Sequence, residues 1–268
     1  MKFSLVATTV RGVDALEPLF RVSDVDAELI IVDSAYSEQK LYELRKIKHS
    51  FSQVVYSPPK DSAVKRKYDL VNALNTGYVY AEGDFFIRVD DWMELHPDFF
   101  VRLNESILIF KELFGDDFVI RPYDCTEKWK NDVVTNPCGP GSIPRMRRYY
   151  PIPYRLSSTA GLTVCPRSVM FDVNGFDERY DDGTGWNDND MALRILSAGK
   201  YFFVFDALLM AFRHPHVAVA PWERVVNQKL CMQIFVEELL NGEYTSKNSY
   251  KLEEVSREYR ELKKEYLV

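Results

Sequence analysis

The amino-terminal third of the chain alternates short β-branched and aromatic runs with amphipathic stretches, and that alternation limits the fold more than any other feature. Phe3 to Thr9 is an apolar run stopped by Arg11-Gly12, and helical spacing follows at Leu16, Leu19 and Phe20. Leu29-Ile30-Ile31-Val32 is a second run, closed by Asp33-Ser34. A helix over 38–48, a strand at Val54-Val55-Tyr56, a Pro58-Pro59 turn, a helix over 63–76 and a strand from Phe85 to Val89 continue the pattern. Short continuous apolar runs suit strands buried on both faces. Repeated strand–helix units therefore predict an α/β domain whose mostly parallel central sheet is flanked by helices. In such sheets ligands sit beyond the carboxyl ends of the strands. Thr8, Thr9, Asp33, Asp90 and Asp91 all fall at such ends, so they are expected to converge on one crevice.

The second half continues the alternation less regularly. Residues 97–114 have helical spacing, with Pro97 in the first turn and Phe100, Leu103, Ile107 and Phe110 on one face. Residues 122–158 hold six prolines and two glycines and predict a long loop. A strand at Gly161 to Cys165, a short helix from Pro166 to Val173, a helix over 188–198 and a strand over 201–205 follow. Two helices are expected near 221–240 and 249–266; in the latter Leu252, Val255, Tyr259, Leu262 and Tyr266 make a narrow apolar seam suited to docking on the chain's own body. The division expected is a domain over 1–219, its halves meeting at 92/93, with a helical extension over 220–268.

Composition removes several classes. With 46% apolar and 28% charged residues the 268-residue chain can bury a core, and a net charge of -6 argues against an extended nucleic-acid surface. Cys125, Cys138, Cys165 and Cys231 show no metal-ligand spacing and suit thiols of a reducing compartment. No stretch approaches a membrane span, and the first residues are too short an apolar run for a signal peptide. A soluble, cytoplasmic protein is the expectation. No sequence feature defines an oligomeric state.

Two acidic clusters carry the chemistry. Val89-Asp90-Asp91 ends the fourth strand, and Gly185-Trp186-Asn187-Asp188-Asn189-Asp190 opens an amphipathic helix, with His214 downstream. Adjacent carboxylates at a strand end diverge, so one suits a divalent metal and the other a sugar or ribose hydroxyl. Mg²⁺ and Mn²⁺ prefer oxygen ligands and often complete their shells with substrate phosphates. A carboxylate in a first helical turn is held by the positive helix end and can serve as a general base. Arg11, on the first strand-end loop, and Arg66, at the entrance of the helix preceding the first cluster, are candidate diphosphate contacts. Trp186 offers a face for an acceptor sugar, with core packing as its alternative.

The segment from Asn75-Thr76-Gly77 through Ala81-Glu82-Gly83-Asp84 to Asp90-Asp91 resembles the donor site of GT-A-fold glycosyltransferases, especially family 2-like enzymes. Asn174-Gly175-Phe176-Asp177-Glu178 followed by Gly185 to Arg194 is similar to the acceptor-side segment of β-1,4-galactosyltransferases. The resemblance covers residues 1–216. It implies a GT-A-like single domain, with Asp33 on the nucleobase and Asp188 as catalytic base. Thr8, Thr9, Arg11, Arg66, Asp90 and Asp91 would meet the donor, and Trp186, Asn187 and Asp190 the acceptor. Asp91 and His214, with His216 as a competitor, would hold Mn²⁺ or Mg²⁺. Three departures stand out: Trp92 replaces a third acid, Asn187 replaces a Glu, and Thr9 replaces a first-strand Pro.

The function expected is a metal-dependent inverting transfer from a nucleotide diphosphate sugar, UDP-linked, to a glycan, glycolipid or glycoprotein. A sugar-nucleotide nucleotidyltransferase would carry a Gly-rich basic signature after its first strand, which Val10-Arg11-Gly12-Val13 lacks. A glycosidase would need no nucleotide pocket. A non-catalytic relative that binds a sugar nucleotide or a glycan remains the alternative, since fold does not fix function.

Overall fold

The computed structural model describes residues 1–22, 26–60, 69–91, 93–126, 146–147, 161–181, 185–213, 225–242 and 244–268. Strand β1 (Phe3–Thr9) leads through α1 (Val13–Leu16) and a 3-10 turn to β2 (Ala27–Asp33), then α2 (Glu38–Leu44), β3 (Gln53–Ser57) and α3 (Leu70–Tyr80). Next come β4 (Phe85–Asp90), β5 (Met93–Leu95), α4 (Phe99–Phe114), β6 (Phe118–Thr126), β7 (Met146–Arg147), β8 (Thr163–Pro166) and α5 (Arg167–Asp172). The chain closes with α6 (Asn187–Ser197), β9 (Tyr201–Arg213), α7 (Val225–Asn241) and α8 (Leu252–Glu258).

The described strands form one nine-stranded sheet in the order β3-β2-β1-β4-β8-β6-β9-β5, with β7 against β9. β3, β2, β1 and β4 are mutually parallel, β8 runs antiparallel between β4 and β6, and β6 pairs parallel with β9. Six strands therefore share one direction, while β8, β5 and β7 oppose them. The expected mostly parallel sheet flanked by helices is the one observed.

Strand alternation splits the core between the two faces of this sheet. Leu5, Ala7, Leu29, Ile31, Tyr56, Ile87 and Val89 face one side, packed with Phe99, Leu103, Ile107 and Phe110 of α4. Val6, Ile30, Val32, Val55 and Phe86 face the other, packed with Leu74, Tyr78, Phe176 and Met191. α3 lies so close on β1 that a Cβ added at Gly77 would stand 2.2 Å from Val6 Cγ1.

Several elements differ from the sequence reading, among them the unexpected strands β5 and β7 and an α2 that stops at Leu44. The 122–158 loop yields its first residues to β6, which runs through Pro122, where the register with β9 shifts. The strand expected over 201–205 extends to Arg213. The closing helix does not run over 249–266; α8 ends at Glu258 and a 3-10 turn follows at Leu262–Tyr266. The reason is lateral contact: Lys263 turns inward to Glu28, Leu267 bridges Val55, and Val268 N–H donates to Val54 O at 3.0 Å. The tail thereby covers the β3 edge of the sheet, and Leu262 of the predicted seam is exposed. Helix α3 begins at Leu70, and residues 63–68 of the predicted 63–76 helix lie outside the described residues. No described helix is long and apolar enough to cross a membrane.

Candidate functional site

The carboxyl ends of β1, β2 and β4 lie side by side. Thr9 is the register partner of Asp33, and Thr8 that of both Val32 and Asp90. Alternation sends Thr9 and Asp33 to the α4 face and Thr8, Arg88 and Asp90 to the α3 face, so the convergent acids divide between two environments.

On the first face the carboxylates are tied down by their own chain. Asp33 is fully buried. Its Oδ1 accepts Ala35 N–H at 2.7 Å, and its Oδ2 accepts the Tyr56 hydroxyl at 2.6 Å and Lys40 Nζ at 2.7 Å. Burial and then the Asp33 carboxylate push the Tyr56 phenol well above its ordinary range, so it stays a donor. Expected as a nucleobase contact, Asp33 has no exposed surface here; it fixes the loop Ser34-Ala35-Tyr36, where Tyr36 stacks on Tyr56 at 5.1 Å between ring centroids. Just past β4, Asp91 Oδ2 accepts the Thr9 hydroxyl at 2.6 Å and pairs with Arg11 Nε at 3.1 Å. Thr9 Oγ1 in turn accepts Arg11 N–H at 3.0 Å, which pins the strand-end loop.

On the second face the two acidic clusters meet through a residue that the motif reading passed over. Arg88, buried on β4, donates from NH1 to Asp188 Oδ1, one hundred residues along the chain, and its NH2 lies 4.0 Å from Asp90 Oδ1. Its guanidinium sits 5.4 Å from the Phe176 ring centroid. Burial pulls its pKa down, but Asp188 and Asp90 outweigh that and hold it above the ordinary arginine value. The signal was present in the sequence. A lone charge inside the run Phe85 to Val89 is expensive unless a partner of opposite sign awaits it.

Asp188 lies in the first turn of α6. Gly185 and Trp186 precede it with φ of 83° and 69°. A left-handed tryptophan is strained. The Trp186 ring packs on Phe235 of α7 at 5.1 Å between centroids, so the core contact weighed against the sugar-facing role is present. Asn187 is buried, and its Nδ2 has no hydrogen-bond partner among the described residues. Asp190, expected on the acceptor side, has no exposed surface and pairs with Arg194 Nε at 2.9 Å. Arg194 NH1 donates onward to Val173 O and Gly175 O, so this pair anchors α6 to the turn after α5.

That turn explains the Asn174-Gly175 pair. Gly175 N–H donates to Met170 O at 2.9 Å and Asn174 N–H to Phe171 O at 3.0 Å, a helix-ending arrangement with left-handed residues. A Cβ on Gly175 would stand 2.6 Å from Asn75 Oδ1, the atom that accepts Phe176 N–H at 2.8 Å. Asp181 caps α3 from a distance, accepting Val71 N–H at 2.8 Å and Asn72 N–H at 3.1 Å. The segment following α5 is thus the hub that joins α3 to the site.

Arg66, Trp92 and His214 lie outside the described residues. The last described residue of β9, Arg213, is the register partner of Met93, two residues after Asp91. Among the described residues no cluster of three or more His, Cys, Asp or Glu is arranged to hold a metal ion. Asp90 and Asp91 supply hard carboxylate oxygens, which fit a cation completed by substrate phosphates better than an all-protein cage.

No protein-family model matches the chain, and no curated protein matches it. Among solved structures the fold is similar to residues 1–349 of S. aureus TarS in complex with UDP-GlcNAc, with a TM-score of 0.59 and 14% identity over 97% of this chain and 71% of that one. The same TarS segment in complex with UDP gives a TM-score of 0.55 and 16% identity, over 97% of this chain and 70% of that chain. Against the longer S. aureus TarS chain the TM-score is 0.56 at 16% identity, and this chain covers 44% of it. The architecture is a GT-A-like α/β fold.

Proposed function

We propose that the protein transfers a sugar from a nucleotide diphosphate sugar, UDP-linked, to a hydroxyl of a glycan, glycolipid or glycoprotein. The observation that carries this reading is the meeting of Asp188 with Arg88 and Asp90 at the carboxyl end of β4. A similar fold, that of TarS, has been crystallised with UDP-GlcNAc. The family 2-like assignment and the galactosyltransferase-like acceptor segment rest on the sequence motifs.

In this reading the loop shaped by Asp33 and stiffened by Tyr56 seats the nucleobase. Thr8, Asp90 and Asp91 border the ribose, sugar and diphosphate, and Arg11 leaves its partner Asp91 to offset phosphate charge. Asp188 accepts the proton of the attacking hydroxyl, an effect worth about 10²–10⁴-fold in rate. Attack from the face opposite the nucleoside diphosphate inverts the anomeric centre. Asp91, with His214, would hold Mn²⁺ or Mg²⁺, which supplies Lewis-acid stabilisation of the leaving group when bound. Trp186 and Asn187 border the acceptor side.

Calorimetric titration with UDP-GlcNAc and UDP, with and without Mn²⁺, tests the donor half directly. Ligand at 100 times its Kd should stabilise the wild type by about 2.7 kcal/mol, and Asp91→Ala should abolish that gain. A folded wild type that binds neither nucleotide in either condition contradicts the proposal.

A further inference from the structure

Arg88 is the fourth residue of a strand that is otherwise apolar up to Asp90, and its side-chain exposure is only 6%. Packing alone gives no reason for it, because an apolar side chain of similar volume would fill the same space without the desolvation cost of a buried guanidinium. Its position is set from three sides. Strand alternation puts it on the same face as Phe86 and Asp90, Thr163 of β8 is its register partner, and Phe176 lies beneath its guanidinium. Its two terminal nitrogens then address two different elements, NH1 to Asp188 on α6 and NH2 toward Asp90 on β4. Both carboxylates keep open surface, with 19% of the Asp188 side chain and 26% of the Asp90 side chain exposed. One buried cation is therefore shared by two acids that keep contact with solvent.

We infer that Arg88 is the positioning residue of the site: its rigid fork sets the proton-accepting carboxylate of Asp188 in register with the donor-side carboxylate of Asp90. The inference rests on the transferase reading above. Arg88 itself is buried and acts through the two partly exposed acids. A planar fork fixes two directions at once, whereas a lysine offers a single point charge on a flexible stem. Misplacing a base by about 1 Å costs on the order of 10²-fold.

The experiment is steady-state kinetics of UDP-GlcNAc turnover, with UDP affinity measured in parallel, on wild type, Arg88→Met, Arg88→Lys, Asp188→Asn and the Arg88→Met/Asp188→Asn pair. Expected are a kcat lowered about 10²-fold in Arg88→Met with KM and UDP affinity within about threefold of wild type. Arg88→Lys should recover part of that loss, and the double variant should be no slower than Asp188→Asn. Should Arg88→Met fail to fold, Arg88→Lys and the wild type decide by the same split. A kcat unchanged in the folded variants, a loss confined to KM, or losses that multiply in the double variant would each overturn the positioning role. A wild type that binds UDP yet turns over none of a panel of UDP-sugars, UDP-GlcNAc included, overturns the transferase reading first, and this inference with it; the wild-type traces alone identify that case.

Discussion

Two buried cations, Lys263 at the amino ends of the parallel strands and Arg88 at the carboxyl ends, treat their carboxylate partners differently. At the amino end Glu28 is fully buried; its Oε1 accepts the Ser4 hydroxyl and Glu82 N–H, each at 2.6 Å, and its Oε2 pairs with Lys263 at 2.6 Å. Ser4 Oγ also accepts Gly83 N–H at 2.8 Å, where a Cβ would meet the backbone of Phe3 and Ser4 at 2.8 Å. The arrangement is closed, and it fastens the tail to the sheet. At the carboxyl end Arg88 is as buried as Lys263, but its acids Asp90 and Asp188 remain partly open to solvent. Acids sealed on every side hold a fold together, and acids sealed on one side only are left able to meet a ligand.

The largest effect expected at the closed end is on stability. Lys263→Met leaves Glu28 buried without its cation and should destabilise the protein by about 3–5 kcal/mol in urea denaturation. Nucleotide affinity of the folded fraction should stay unchanged, and a matching loss of UDP binding would break the contrast. A smaller effect falls on the hub beside the site. Asp177 is buried, and burial alone would raise its pKa. Hydrogen bonds from Arg179 and the backbone N–H groups of Arg179 and Lys247 outweigh that and hold it below the ordinary carboxylate value. Its contribution is therefore complete above the unfolded value, about pH 3.9, and is lost as pH falls through the lower native value. Unfolding midpoints should drop more steeply below about pH 4 in wild type than in Asp177→Asn. Equal slopes would show that Asp177 adds no pH-dependent stability.

Much of the amino-terminal half was legible because its strands are short, apolar and bounded by turns. Strand ends follow from such runs, and the placement of Thr8, Thr9, Asp33 and Asp90 follows from strand ends. What escaped was set by partners distant in sequence. β6 was hidden by Pro122, which a strand tolerates only where its neighbour's register shifts. The closing helix read as continuous by periodicity, but Lys263 and Val268 answer to Glu28 and β3 instead. In α6 the residues Asp188 and Asp190 look alike. Their different fates follow from the helix face: Asp190 lies four residues before Arg194 and turns inward with it, while Asp188 turns to Arg88. The Asp190–Arg194 spacing was a readable sign of that pair. The Arg88–Asp188 pair was signalled at only one end, by a charge in an apolar strand.

The central claim is that Asp188 takes the acceptor proton at the open end of the sheet. Asp188→Asn keeps the side chain's size and its acceptor oxygen for Arg88 while removing the base. UDP-GlcNAc binding and transfer, measured on the same preparation, test it most directly. The account predicts donor affinity within about threefold of wild type and transfer lowered by about 10²–10⁴-fold. Transfer at the wild-type rate in a variant that binds the donor normally would contradict it.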